Sequence, residues 1–157
     1  MSSQKALIIG GSKGMGFESG VRLAKRGIDL FLVAREAEGL NNAQKEIERK
    51  YGIQVETAVL DLYDRAAVQG FIERLAVYPD HIKHLVNAAG YFNPVSFLEH
   101  TQSDYRAYMD INEALFFITQ AVAKNMKENG GGSIVNIGSM WAKQAVKATP
   151  SSAYSMA

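Results

Sequence analysis

Apolar residues along the chain fall into short runs and longer periodic stretches that alternate. "KALIIG" (5–10) is an apolar run closed by glycine, and "MGFESGVRLAKRG" (15–27) carries apolar residues at helical spacing, basic residues near its end and Gly27 as a stop. "DLFLVA" (29–34) predicts a buried strand, "EGLNNAQKEIERKYG" (38–52) a polar helix closed by Gly52, and "QVETAVL" (54–60) a third strand. "DRAAVQGFIERLAVY" (64–78) predicts a helix stopped before Pro79, and "KHLVNAAG" (83–90) a strand that runs into glycine. A long amphipathic helix follows over 102–132, with Ser103 as its cap and three glycines as its stop, and "SIVNIGS" (133–139) is a fifth strand. Regular alternation of strand and helix with short connections implies a parallel sheet covered by helices on both faces. A ligand belongs beyond the carboxyl ends of such strands.

No internal repeat or interdomain linker interrupts this pattern, so residues 1–157 are expected to form one domain. Seventeen basic and sixteen acidic residues leave a net charge of +1, which offers no global field for nucleic acid or an anionic membrane. The absence of cysteine excludes disulfides and thiolate metal sites. His81, His84 and His100 read as surface or turn residues, and no metal site is expected. The first residues lack a secretory signal pattern and no apolar run approaches the roughly 20 residues of a membrane span, so a cytoplasmic protein is expected.

The chemistry begins after the first strand. Gly10, Gly14 and Gly16 form G-x-x-x-G-x-G, with Ser12, Lys13 and Met15 between them, directly before a helix. Glycines there let a pyrophosphate approach main-chain N–H groups and the positive end of the helix, which makes a dinucleotide site. An NAD site places an acid about 20 residues further on for the ribose 2′-hydroxyl. Here the second strand ends at Ala34-Arg35, and Arg35 with Lys13 suits a 2′-phosphate, so NADP(H) is favoured over NAD(H). Glu36 and Glu38, close by, are the acids that speak for NAD(H).

Asp61-Leu62 after the third strand, Asn87-Ala88-Ala89-Gly90 after the fourth, Asn112 in the long helix and Ser139 after the fifth complete an ordered set. Together with the glycine loop it resembles the short-chain dehydrogenase/reductase family in its NADP-preferring branch, over essentially the whole chain. The resemblance implies a three-layer α-β-α Rossmann fold, a doubly wound α/β structure with parallel strands ordered 3-2-1-4-5, and a hydride-transferring oxidoreductase acting on a small carbonyl or alcohol. It implies that Asp61 holds the adenine amine, that Leu62 donates its amide, and that "NAAG" shapes the ribose pocket. It also implies that Asn112 kinks its helix around a water in a proton path, that Ser139 polarises the substrate, and that Tyr154 is the general acid or base.

The family signature is Tyr-x-x-x-Lys, in which the lysine ammonium stabilises the phenolate and anchors the nicotinamide ribose. Here "YSMA" is the last stretch of the 157 residues. By resemblance the helix begun at Tyr154, a substrate-covering segment and two further strands would follow, so a truncated chain of doubtful turnover is expected, and the exposed edge of the fifth strand and apolar faces favour a homo-oligomer. The alternative is a module that binds NADP(H) without turnover. The substrate pocket is expected around "YFNPVSF" (91–97) and "MWAKQAVKATP" (140–150), where Met140 and Trp141 suggest an apolar wall.

Overall fold

The computed structural model describes residues 4–144, 149–150 and 152–157. Its elements are β1 (Gln4–Ile9), α1 (Gly14–Ala24), β2 (Asp29–Ala34), α2 (Ala37–Tyr51), β3 (Val55–Val59), α3 (Arg65–Ala76), β4 (His81–Asn87), α4 (Gln102–Glu128), β5 (Ser133–Asn136) and α5 (Ser152–Met156). Single 3₁₀ turns stand at Phe97–Glu99 and Met140–Ala142. The five strands form one sheet in the order β3-β2-β1-β4-β5, with parallel pairing at each of its four interfaces. This is the Rossmann-type order that the resemblance implied.

Both faces of the sheet are apolar because successive strand side chains point to opposite sides and each side meets helices. From β1, Leu7 and Ile9 join Phe31, Val33, Leu85 and the α3 and α4 residues Val68, Phe71, Leu75, Ile111, Ile118 and Val122. Ala6 and Ile8 instead join Leu30, Leu32 and Val86 with Ala24 of α1 and Leu40, Ala43 and Ile47 of α2. The continuous apolar runs of β1 and β2 follow from burial on both sides.

The helix stops act as their sequences require. Gly27 takes φ +75°, and the Ile28 N–H returns to the Leu23 carbonyl, while Gly52 takes φ +66° as the cap of α2. Two expectations need correction. The cap of α4 is Thr101 rather than Ser103: its hydroxyl accepts from the Asp104 N–H, and the Asp104 carboxylate accepts from the Thr101 N–H. His81 is buried in β4 rather than at the surface, its Nε2 lying 2.8 Å from the Gly131 carbonyl oxygen. The neighbouring Ile82 N–H donates to Asn125 of α4, which extends the strand two residues earlier than the apolar pattern alone suggested.

The strand ends lie level. Ile9 pairs with Val33 and Asn87, Asn87 pairs with Asn136, and Ala34 pairs with Val59. Strand order reverses between β1 and β4, so their carboxyl ends open the crevice in which such sheets bind ligands.

Candidate functional site

Two clefts meet at that crevice. The first, about 320 Å³, is bordered by Gly10, Ser12 and Lys13, by Ala34, Arg35, Glu36 and Gly39, by Leu60 to Tyr63, and by Ala88 to Tyr91. Its floor is the turn between β1 and α1, tied down by Gly10 and Gly11 N–H groups donating to the Val33 carbonyl at 2.8 and 3.1 Å. A Cβ on Gly10 would lie 2.7 Å from the Ala89 nitrogen, and one on Gly16 would lie 2.1 Å from the Gly10 carbonyl oxygen. Main chain therefore packs on main chain at both positions. Gly14 is different: open space surrounds its Cβ position, and φ +59° is what selects glycine.

The amino ends of the helices divide into two kinds. The Asp64 carboxylate caps α3 through the Ala66 and Ala67 N–H groups, and Thr101 with Asp104 caps α4. At α1 the cap residue Lys13 contributes no side-chain hydrogen bond and the first turn holds no acid. At α2 the cap residue Glu36 likewise makes no side-chain cap. Both ends border the first cleft, but α2 carries Glu36 at its cap and Glu38 in its first turn, so it is the acid-free end of α1 that suits an anion. The exposed Arg35 precedes α2 at the same opening. A buried Leu62 closes one side, and Asp61 is held in a tight turn, its Oδ1 accepting from the Tyr63 N–H at 3.0 Å. Tyr63 in turn donates its hydroxyl to the Ala107 carbonyl of α4, a link between the two elements that the sequence pattern did not reveal.

The second cleft, about 440 Å³, gathers Asn87, Asn112, Asn136, Ser139 and Tyr154, and shares Ala89, Gly90, Tyr91 and Ile111 with the first. Asn87 is buried, and its Nδ2 donates to Thr119 Oγ1 at 2.9 Å and to Asn136 Oδ1 at 2.8 Å. Its own Oδ1 has no partner among the described residues. Thr119 and Asn136 were missed from the sequence, because only the pairing of β4 with β5 and the seating of α4 bring them to Asn87. Asn112 is exposed, with Nδ2 donating to the Tyr108 carbonyl one turn back at 2.9 Å, and the helix is continuous through it. Ser139 opens the 3₁₀ turn Met140–Ala142, its Oγ accepting from the Trp141 N–H at 3.3 Å.

Tyr154 stands in α5 among aromatic rings, with Phe92 at 4.8 Å between centroids and Trp141 and Tyr108 both at 5.8 Å. Of the four aromatics of α4, Tyr108 is buried, whereas Tyr105, Phe116 and Phe117 are exposed. Residues 145–148 of the stretch expected to border the substrate lie outside the described residues. Among the described residues no three His, Asp or Glu side chains are grouped as a metal site needs, and no helix is long and apolar enough to cross a membrane.

Comparison with known proteins places these features in context. A family model described as short chain dehydrogenase matches residues 4–157. Gluconate 5-dehydrogenase of Gluconobacter oxydans is 35% identical over 146 residues, covering 92% of this chain and 57% of that protein. Sulfoacetaldehyde reductase 2 of Chromohalobacter salexigens is 36% identical over 141 residues, covering 88% and 55%. Among solved structures, a short-chain dehydrogenase from Sphingobium yanoikuyae in complex with NADPH superposes with a TM-score of 0.87 at 32% identity, covering 98% of this chain and 59% of that one. L-sorbose reductase from Gluconobacter frateurii, complexed with NADPH and L-sorbose, gives 0.88 at 25% identity, covering 99% and 59%. The chain thus spans a little over half the length of these curated relatives.

Proposed function

Because the chain belongs to the short-chain dehydrogenase family, we propose that it forms the cofactor-binding and reacting portion of an NADP(H)-dependent oxidoreductase that interconverts a small carbonyl compound and its alcohol. The observation that carries this reading is the junction of the two clefts. One offers the uncapped, acid-free end of α1 to an anion, the other collects Ser139 and Tyr154, and they share Ala89 to Tyr91.

The residues fit a dinucleotide phosphate. The glycine turn and the α1 amino end hold the pyrophosphate, Asp61 and Leu62 the adenine, and Ala88 to Gly90 the adjoining ribose. Arg35 and Lys13 pair with the 2′-phosphate, a bidentate partner and a point charge that an NAD site does not need. When bound, the nicotinamide supplies or accepts the hydride. Ser139 Oγ donates a hydrogen bond to the carbonyl oxygen, and the Tyr154 hydroxyl gives that oxygen a proton in reduction and removes it in oxidation. Asn112 borders the same cleft as Tyr154 and is the relay for the proton. NADPH-bound neighbours support the choice of cofactor.

The test is a titration of the protein with NADPH and with NADH, alongside an assay of carbonyl-dependent NADPH oxidation. NADPH is expected to bind at least tenfold more tightly than NADH, and Arg35→Ala with Lys13→Ala is expected to erase that difference while leaving NADH binding intact. Tyr154→Phe is expected to abolish oxidation with NADPH affinity unchanged. Equal affinity for both nucleotides in the unaltered protein defeats the cofactor assignment, and full turnover by Tyr154→Phe defeats the assignment of the acid.

A further inference from the structure

We infer that Tyr108 is a positioning residue for the proposed reaction: its hydroxyl latches the loop after β4 to α4, and the latched loop fixes both the wall that the two clefts share and the ring of Tyr154. As a statement about the reaction this rests on the oxidoreductase reading above. The loop runs from Ala88 to Ser96 without regular secondary structure, and Gly90 to Pro94 are exposed, so burial does not hold it. At its ends the Ala88 N–H donates to the Ile9 carbonyl at 2.8 Å, and the Ser96 carbonyl accepts from the Glu99 N–H at 2.9 Å. Between them Pro94 has no N–H to offer, and among the described residues Asn93 alone has hydrogen-bonded main-chain groups.

Both of those bonds go to Tyr108. Its hydroxyl accepts from the Asn93 N–H at 3.0 Å and donates to the Asn93 carbonyl at 2.8 Å, so one side chain, itself only 4% exposed, satisfies both main-chain groups of one loop residue. The residues just before Asn93 carry the consequence. Phe92 meets the ring of Tyr154 edge-on at 4.8 Å, and Tyr91, which borders both clefts, packs on Tyr108 at 5.3 Å. Tyr108 borders the second cleft and lies 5.8 Å from Tyr154. Tyr154 is therefore held by a side chain of α4 and by the loop that the same side chain pins.

The main chain around Tyr108 carries two further ties. The Ala107 carbonyl accepts from the hydroxyl of Tyr63 in the first cleft, and the Tyr108 carbonyl accepts from Asn112 Nδ2 in the second, both at 2.9 Å. One stretch of α4 thus fastens groups of both clefts. The latch is separable from packing, because a phenylalanine at 108 keeps the ring contacts and loses only the hydroxyl. Loss of both hydrogen bonds shifts the balance between held and released loop by about tenfold. A nucleotide that binds the held loop loses affinity as the released fraction grows.

The test compares Tyr108→Phe with Thr101→Ala, which weakens the same helix without touching the latch. Hydrogen exchange followed by NMR is expected to quicken at the Asn93 amide about tenfold in Tyr108→Phe and to stay within about twofold of the unaltered protein in Thr101→Ala. In protein carrying ¹³C-labelled tyrosine and saturated with NADPH, the Tyr154 resonance, assigned by its loss in Tyr154→Phe, is expected to split or broaden in Tyr108→Phe and to stay single in Thr101→Ala. NADPH is expected to bind about fivefold more weakly to Tyr108→Phe, a loss that Thr101→Ala does not share. Asn93 exchange at the unaltered rate in Tyr108→Phe overturns the latch. An unmoved Tyr154 resonance or an unchanged NADPH affinity in that variant overturns the positioning role and leaves the oxidoreductase reading standing. Failure of the unaltered protein to bind NADPH overturns that reading and the positioning role with it, whatever the exchange at Asn93.

Discussion

A Cβ on Gly16 would come within 2.1 Å of the Gly10 carbonyl oxygen and 2.9 Å of its carbon, both main-chain atoms that cannot rotate away. Gly14 two residues earlier has free space around it and a φ of +59°. The two glycines therefore fail differently when changed to alanine. Gly14→Ala costs about 1 kcal/mol for placing an L residue in the left-handed region and leaves the turn closed. Gly16→Ala forces α1 away from the turn, and is expected to lower NADPH affinity at least tenfold and melting temperature by several degrees. Isothermal titration and calorimetry on both variants check this, and equal losses in the two would show that the close packing of Gly16 on Gly10 does not control the cradle. At this scale the glycine spacing was readable because glycine is chosen by geometry that few residues satisfy. The partners of Asn87 were not, since Thr119 and Asn136 are 32 and 49 residues away and only the fold brings them in.

Helix ends show how one local signal can be misread when two candidates compete. Thr101 and Ser103 are both good caps, but only Thr101 has an acid three residues on, and that reciprocal pair decides the start of α4. Thr101→Ala is expected to destabilise the protein by about 1 kcal/mol, with no change in NADPH binding. Ser103→Ala should cost only a few tenths. Chemical denaturation midpoints separate the two, and equal shifts would return the cap to Ser103. The strands were legible as elements because burial on both faces writes a continuous apolar run. The first residues of β4 were hidden, because His81 and Ile82 are fixed by Gly131 and Asn125 rather than by any pattern of their own. Helix α1, uncapped by its own side chains, is the converse case: the glycine spacing alone led to a dinucleotide site expected there, and the structure adds that its cap residue Lys13 borders the first cleft.

Across the whole molecule the sheet has the two clefts of the proposed site at its carboxyl ends and a charge network at its amino ends. Lys5 at the start of β1 reaches Glu56 of β3 at 3.0 Å, Asp80 before β4 at 2.9 Å and the Tyr78 hydroxyl at 3.1 Å. Tyr78 donates to Glu56 at 2.6 Å while its ring stacks on Phe31, and Arg74 of α3 also pairs with Glu56. Burial alone would raise the Glu56 pKa, but the hydrogen bond from Tyr78 and the charges of Lys5 and Arg74 outweigh it and hold the carboxyl below its ordinary value. Burial and the bond to Glu56 push Tyr78 up to about 12. Burial opposes the charge on Lys5, yet its bonds to Asp80, Tyr78 and Glu56 prevail and its pKa rises.

The signs follow from which state holds the proton more tightly. Glu56, lowered in the folded state, contributes stability that is complete above the usual carboxylate range near 4.3 and is lost as pH falls through its folded value. Tyr78, raised, contributes stability that is complete below its ordinary value of 10 and is lost as pH climbs toward about 12, and Lys5 acts in the same direction. The stability that this network contributes should therefore hold a plateau from roughly pH 5 to 10 and fall on both sides, while His84, its pKa held below the ordinary value by burial and nearby cations, takes away further stability as pH falls below about 6.5. Lys5→Met should lower that plateau by about 2 kcal/mol, since it leaves a half-buried carboxylate short of a partner. It should also flatten the acid limb, because Glu56 without Lys5 titrates closer to its unfolded value and releases less stability on protonation. Calorimetric melting from pH 3 to 11 on both proteins decides the matter. Profiles of identical shape, offset by a constant, would mean that Lys5 contributes packing alone and that the network does not titrate as a unit.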